Sequence, residues 1–174
     1  MTMTEGKNHN RKNGGYTLVE LVVVIAILSV LIGLIGYNIS VVWSFNAREC
    51  SKKITTDIQS LKVTTLSKSA TFGDTYMKVY YDGKNVMRKF HYKDGSEEEE
   101  QIGKRVKVYY GDGTALTEIG TEGGGELTIT FDRSSGAIKD SSGAVSGVKK
   151  IVVESGKTYT IDVTPQTGKV NQKL

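Results

Sequence analysis

The segment YTLVELVVVIAILSVLIGLIGYNISVV, residues 16–42, decides the fold of this chain. Between Leu21 and Val42, 16 of the 22 positions are aliphatic residues or alanine, and positions 21–47 carry no charge. At about 1.5 Å per residue, an uncharged helix of this length can cross a hydrocarbon core of ~30 Å. The segment therefore predicts a transmembrane helix within residues 16–43.

A polar, basic leader precedes this helix. Residues 1–15 contain three basic side chains and one carboxylate, and they end in glycine. Because basic flanks stay in the cytoplasm, we expect a single-pass protein of the cytoplasmic membrane with residues 44–174 outside. An ordinary secretory signal is cleaved next to small residues after its apolar region. The positions available for such a cut are poor candidates: Asn38, Ser40 and Ser44.

The junction between leader and helix carries a motif: Gly15, Tyr16, Thr17, Leu18, Val19 and Glu20, followed by the aliphatic run. This junction resembles the class III signal of type IV pilins and type II secretion pseudopilins. The resemblance implies that a prepilin peptidase cuts between Gly15 and Tyr16 on the cytoplasmic side and methylates the new N-terminus at Tyr16. The mature chain would then keep 159 residues, with 20 basic and 18 acidic side chains and a net charge of +2.

Two positions depart from the family pattern. Tyr16 stands where phenylalanine is commonest, which is a mild aromatic substitution. Tyr37 stands where many members have a proline that kinks the helix. Gly33 and Gly36 can still loosen the helix near that position.

Glu20 lies inside the apolar run, where a carboxylate costs a few kcal/mol. Cleavage would create an α-amine at Tyr16, and a buried ammonium and carboxylate are tolerable only as a pair. In the resembling family the favoured partner is the amine of a neighbouring subunit, so we expect Glu20 to set the axial register during filament assembly. The alternative is a carboxylate that snorkels to the membrane interface.

Residues 44–70 are predicted to continue the helix as an amphipathic segment. Apolar side chains recur at spacings of four, four and three on one face: Cys50, Ile54, Ile58 and Leu61. Because residues 37–71 contain no proline, we expect one continuous helix whose outer half packs on a sheet. The basic residues lie mostly off the stripe and indicate a solvated face, with anionic lipid or nucleic acid as alternative partners.

Residues 73–174 are predicted to form a small antiparallel sheet, so that the fold class is α+β. Short runs rich in Val, Ile, Thr and Tyr are separated by Gly, Asp and Ser. The predicted strands are 76–81, 86–92, 105–110, 126–131, 150–154 and 158–163. Residues 82–85 and 155–157 are predicted as hairpin turns.

Two C-terminal segments, TFDRSSGAI at 130–138 and YTIDVTPQTGKV at 159–170, carry a second pattern. They are similar to the closing strands of minor pseudopilins of the H type and of fimbrial T-type pilins. The similarity includes the Thr-Gly-basic-aliphatic signature of the short final strand, at 167–170. Ordinary β-hairpin chemistry also produces much of this pattern.

The sequence offers no nucleophile, base and orienting group in combination, so neither an enzyme nor a cofactor is predicted. His91 is predicted as a strand-surface histidine. Cys50 is predicted as a small buried hydrophobe, with an intersubunit disulfide or a reactive thiol as alternatives.

No metal site is predicted. The acidic run 97–100 lacks alternating ligands, so a solvated charge run is preferred over a calcium loop. Asp112 and Glu118 are weak metal candidates, because Asp112 lies between two glycines in a predicted turn.

These features predict a prepilin-like structural subunit that leaves the membrane for a cell-surface or periplasmic filament, either a pilus or a type II secretion-like pseudopilus. The lack of the C-terminal cysteine pair that many Gram-negative pilins carry favours a minor subunit or a Gram-positive host. The implied partners are other pilin or pseudopilin subunits, the prepilin peptidase and an inner-membrane assembly platform. A second hypothesis is a tip-located minor pilin that binds DNA or a surface ligand through its positive charge and its tyrosines: Tyr76, Tyr80, Tyr81, Tyr109 and Tyr110.

Overall fold

The structure is a computed structural model that describes residues 16–67, 75–120, 125–140 and 142–173, with backbone only for residues 34–42. An α-helix, α1, spans Leu18–Ser67 and confirms the predicted continuous helix. Contacts within the chain define two compact units, Met1–Asn38 and Ile39–Leu174. Each unit is described by itself.

The N-terminal unit consists, from residue 16 onward, of the first part of α1. All of its described side chains from Tyr16 to Ile32 are exposed, and most of them are aliphatic. Among the residues whose side chains the structure describes, no helix combines the length and the apolarity needed to cross a membrane. The predicted transmembrane segment stays a prediction, and its residues 34–42 lie outside the described side chains.

The C-terminal unit contains the outer part of α1 and the strands. Its strands are β1 Tyr76–Tyr81, β2 Asn85–His91, β3 Glu97–Lys104, β4 Lys107–Gly111, β5 Leu116–Glu118, β6 Leu127–Phe131, β7 Ile138–Lys139, β8 Lys150–Ser155, β9 Lys157–Thr164 and β10 Lys169–Lys173. The α+β class is therefore confirmed. The six predicted strands are all present, with ends within two residues of the prediction.

The strands form two sheets of five, where a single sheet was predicted. Sheet A has the order β3-β2-β1-β6-β7 and sheet B the order β10-β9-β8-β4-β5, and all neighbours are antiparallel. The chain leaves sheet A for sheet B between β3 and β4, at Arg105, whose φ of 55° reverses the backbone sharply. Alternation of apolar and polar residues identifies a strand but not its sheet, which is why the single-sheet prediction failed.

The hydrophobic core joins the helix to both sheets. Cys50, Ile54 and Ile58 are fully buried and Leu61 is nearly so, which confirms the predicted stripe. They share one core with Val79 of sheet A, Ile151 of sheet B and other buried strand residues. Full burial of one aliphatic side chain contributes about 1.5–3 kcal/mol, so the stripe fixes α1 firmly in this unit.

The acidic run 97–100 refines a prediction. It forms the first half of β3, where its glutamates are largely exposed, as predicted for a solvated run, but they also form ion pairs. Its glutamates pair across the sheet with basic residues of β2: Glu97 lies 2.7 Å from Lys89, and Glu98 lies 2.9 Å from Arg88. The prediction did not include these ion pairs, because the cations come from a neighbouring strand and offset the repulsion among the glutamates.

Candidate functional site: the processing and assembly segment

Residues 17–20 build the start of α1. The backbone N–H of Glu20 donates to Thr17 Oγ1 at 3.2 Å, and the backbone N–H of Thr17 donates to Glu20 Oε2 at 3.4 Å. These reciprocal bonds form a capping box, which satisfies two of the N–H groups that a helix start leaves unpaired. This role of Glu20 was not predicted, although the Thr-x-x-Glu spacing at 17–20 is the sequence signal for it.

The predicted cleavage site lies just before the capping box. Gly15 is outside the described residues. Tyr16 lies before the first helical residue and is 84% exposed. A non-helical, exposed backbone is the form in which proteolytic cleavage sites are accessible. Tyr16 is therefore accessible on the described side of the bond, and cleavage between Gly15 and Tyr16 stays a prediction.

The helix after Glu20 presents an apolar surface with small residues in it. Ala26, Ser29 and Gly33 recur at spacings of three and four. The hydroxyl of Ser29 donates to the carbonyl of Ile25 at 2.8 Å, and a Cβ placed on Gly33 would meet no atom within 4 Å. Small residues that leave open space permit close approach of a second helix.

Cys50 and His91 have the structural roles predicted for them. Cys50 is fully buried, and burial raises the pKa of its thiol to about 12, so it keeps its proton at neutral pH. His91 lies on the surface of β2, where its ring stacks on Tyr76 with centroids 4.9 Å apart and Nδ1 is 3.3 Å from Glu97 Oε1. Neither residue has the setting of a nucleophile or a general base.

The two weak metal candidates lie at opposite ends of the β4–β5 hairpin. Asp112 caps the turn by accepting the backbone N–H groups of Thr114 and Ala115 at 2.8 and 3.0 Å, and these bonds lower its pKa to about 2. Glu118 lies opposite Tyr109 and pairs with Lys107 at 3.3 Å. Within the described residues, no group of three or more His, Cys, Asp or Glu side chains is arranged to hold a metal ion.

The tyrosines of the DNA-binding hypothesis are spread over both sheets. Tyr80 donates to Glu99, and Tyr110 donates to the carbonyl of Glu126 at 3.3 Å. The ring of Tyr76 stacks on the ring of His91, and Tyr109 lies on β4 of the other sheet. These side chains therefore do not form one stacking platform for bases.

Comparison with known proteins identifies the N-terminal motif. Residues 10–36 match the family described as the prokaryotic N-terminal methylation motif. The match covers the predicted cleavage site, Glu20 and the first part of α1, and it supports a type IV pilin-like chain that is a prepilin-like substrate of prepilin peptidase. The motif belongs to structural proteins rather than enzymes. No curated protein and no solved structure matches the chain.

Proposed function

We propose that this chain is a prepilin-like structural subunit that is cleaved after Gly15, methylated at Tyr16 and assembled into a type IV pilus or a type II secretion-like pseudopilus. The match of residues 10–36 to the methylation motif carries the proposal. We further propose that it is a minor subunit. Its partners are other pilin subunits, the prepilin peptidase and the inner-membrane assembly platform.

The exposed apolar helix explains why such a subunit needs either the membrane or the filament core around residues 16–43. Leu18, Val30 and Ile32 are 80%, 64% and 68% exposed, although aliphatic side chains gain about 1.5–3 kcal/mol each on burial. A helix that is apolar around most of its circumference belongs in lipid or among other helices. We assign residues 16–43 to the membrane before assembly and to the filament core afterwards, with residues 44–174 displayed outside.

The first expected result is cleavage at one peptide bond. Co-expression with a prepilin peptidase should yield a 159-residue chain that begins with methylated Tyr16, as read by mass spectrometry of the N-terminus. Gly15→Val should keep the full 174 residues, because the added side chain adjoins the scissile bond. Gly14→Val is the matched control and should still be cleaved. A mature chain that begins at another residue would refute the proposal.

The second expected result concerns Glu20, which has a charge and also a capping hydrogen bond. Glu20→Gln keeps the capping box, since glutamine serves at this position, but removes the charge. Thr17→Val keeps the carboxylate and removes the hydroxyl that accepts from Glu20. If the carboxylate pairs with a neighbouring α-amine, Glu20→Gln should reduce incorporation into filaments at least tenfold and Thr17→Val by less than about threefold.

Immunoblots of sheared filaments from cells with matched subunit levels measure this incorporation. Circular dichroism of the purified subunits in detergent controls for helix content. Normal incorporation of Glu20→Gln, together with a loss for Thr17→Val, would show that the residue acts only as a helix cap. Cleavage at Tyr16 should be unchanged in both variants, which separates assembly from processing.

A further inference from the structure

One end of the C-terminal unit gathers exposed cations from three turns. In the pairing of β2 with β3, Asn85 at the start of β2 lies opposite Lys104 at the end of β3. The β1–β2 turn, which contains Lys84, therefore lies beside Lys104. Arg105 follows Lys104, and its carbonyl accepts a hydrogen bond of 2.8 Å from the hydroxyl of Ser155. This bond places the β8–β9 turn at the same end of the unit. Lys157 lies in that turn, opposite Ser155 in the pairing of β8 with β9. We call this exposed set the cationic end: Lys84, Lys104, Arg105 and Lys157.

The cationic end carries positive charge that the described part of the chain does not neutralise. Among the described residues, no carboxylate forms an ion pair with any of its four members. Of the residues that the structure describes, three carboxylates also lie at this end and keep their charge, so that with Lys107 five cations face three anions. Glu118 pairs with Lys107 at 3.3 Å, and Glu154 lies 3.5 Å from the hydroxyl of Thr158. Asp82 accepts the backbone N–H groups of its own turn.

Exposed aromatic side chains lie at the same end. The side-chain amide of Asn46 donates to the carbonyl of Lys104 at 3.4 Å, which places this turn of α1 beside the cationic end. Trp43 and Phe45, within one turn of Asn46, are 40% and 58% exposed. Trp43 also follows directly on the largely apolar segment 16–42 in the sequence. Aromatic side chains at the end of an apolar segment, with cations around them, are typical of the headgroup region of a membrane.

The backbone of Arg105 gives an independent indication. Of the non-glycine residues that the structure describes, only Arg105 has a positive φ, 55°. The comparable position of the β8–β9 turn, residue 156, is a glycine with a φ of 70°. Glycine would adopt the Arg105 conformation without strain. The guanidinium is therefore displayed at a conformational cost, and strained residues of this kind concentrate at functional sites.

We propose that the cationic end docks on an anionic phospholipid surface while the subunit is anchored in the membrane, before it enters the filament. This inference rests on the proposed function, because it requires the apolar helix to be in the bilayer. The complementary partner is the phosphate layer of lipids such as phosphatidylglycerol, with Trp43 and Phe45 at the headgroup level. Each cation near such a surface strengthens docking about fivefold, and salt weakens it.

Hydrogen exchange of the full chain in nanodiscs tests this docking. One set of nanodiscs contains phosphatidylcholine alone, the other contains a third phosphatidylglycerol, and both hold one chain per disc. We expect slower exchange of the turns 104–106 and 155–157 in the anionic discs, and the difference should disappear at high salt. The variant K104Q/K157Q should weaken docking about 30-fold and remove the difference. The matched control K149Q/K169Q removes equal charge from exposed lysines at the opposite end and should retain it.

The outcomes separate this inference from the proposed function. If the chain fails to enter nanodiscs, the membrane-anchored subunit itself is refuted. If it enters and the turns exchange equally in both lipids, lipid docking is wrong and the anchored subunit stands. Protection that depends on the number of chains per disc, and not on phosphatidylglycerol, would assign the cationic end to contacts between subunits and would also overturn lipid docking. Brominated lipids should quench Trp43, the single tryptophan, when it lies at headgroup level.

Discussion

Replacement of Gly168 by alanine is expected to lower the free energy of unfolding by about 2–5 kcal/mol. Gly168 has a φ of 60°, in the left-handed region where a side chain is strained. A Cβ at this position would lie 2.4 Å from the carbonyl oxygen of Gly136 and 2.4 Å from Phe131 Cε1. Left-handed backbone costs an ordinary residue about 1–2 kcal/mol, and the clash adds about 1–3 kcal/mol.

The clash is costly because Gly168 lies where three elements meet. The Nζ of Lys62 on α1 donates to the carbonyl of Thr167 at 2.7 Å. The backbone N–H of Ile138 at β7 donates to the carbonyl of Pro165 at 2.7 Å. The β9–β10 turn is therefore held against the helix and against the edge of sheet A, and it cannot move aside without breaking these bonds.

Gly95→Ala is the matched control for this experiment. Gly95 also has a positive φ, 80°, but a Cβ there would meet no atom within 4 Å. Replacement of Gly95 by alanine should lower the free energy of unfolding only by the cost of a left-handed backbone at a non-glycine residue, about 1–2 kcal/mol. Chemical denaturation of the full chain in mild detergent, followed by near-ultraviolet circular dichroism, measures both variants. Equal losses for the two would show that the contact with Phe131 and Gly136 does not limit the turn.

The same junction explains part of the C-terminal sequence pattern in physical terms. The segments 130–138 and 159–170 are far apart in the chain, yet Phe131 and Gly136 of the first contact Gly168 of the second. The glycine of the Thr-Gly-Lys-Val signature is needed because backbone and an aromatic ring occupy the space of a side chain. The resemblance of these segments to H-type pseudopilins stays a prediction.

Local patterns allowed much of this fold to be predicted. A spacing of four, four and three identified the buried stripe of α1, because helical periodicity depends only on neighbours in the chain. Strand β1 was predicted with its observed bounds, and both predicted hairpin turns join the strands expected. The motif around Gly15 and Glu20 predicted the match to the methylation motif for the same reason, since all of its residues are contiguous.

The features that escaped prediction depend on partners distant in sequence. Strand β3 pairs with β2, and cations of β2 and α1 offset the charge of its glutamates; these partners are unknown until the chain is folded. The division into two sheets depends on a reversal at Arg105, a residue type that does not mark turns. The cationic end likewise combines turns from both sheets. Spacing along the chain does not reveal any of these contacts.

Arg88→Gln is expected to destabilise the C-terminal unit by about 2–4 kcal/mol, a loss somewhat below that of a fully buried ion pair. Arg88 is 4% exposed, although it lies on a strand of alternating pattern. Its guanidinium nitrogens lie 3.2 Å from Asp57 on α1, 2.9 Å from Glu98 and 2.6 Å from Glu100. It thus joins the helix to β3, and it also lies 4.4 Å above the ring of Phe90.

The loss should depend on pH in a defined direction. Burial raises the pKa of Asp57 above its ordinary value of 3.8, and the positive charge of Arg88 opposes this shift. Without Arg88 the carboxylate is buried next to Glu98 and Glu100, so its pKa rises further. A carboxyl with a raised folded-state pKa binds its proton more tightly when folded. The deficit of Arg88→Gln should therefore be complete at pH 7 and shrink as the pH falls through that pKa. Asp57→Asn should reduce this pH dependence to the part that comes from Glu100, whose pKa is lowered by Lys53 and also by Arg88.

Lys89→Gln separates the buried cation from an exposed one on the same strand. Lys89 pairs with Glu97 at 2.7 Å, but both side chains are partly solvated, and such surface pairs are worth about 0–1 kcal/mol. The two substitutions remove the same charge from adjacent residues of β2. Any difference in their effect on the free energy of unfolding therefore comes from the greater burial of Arg88 and its larger number of partners. Denaturation of both variants between pH 4 and pH 8 in the full chain gives this comparison. If Arg88→Gln cost no more than Lys89→Gln at pH 7, the attachment of β3 to α1 would rest on other contacts, the ion pair of Lys53 with Glu100 and the packing of Cys50 beside Gly103.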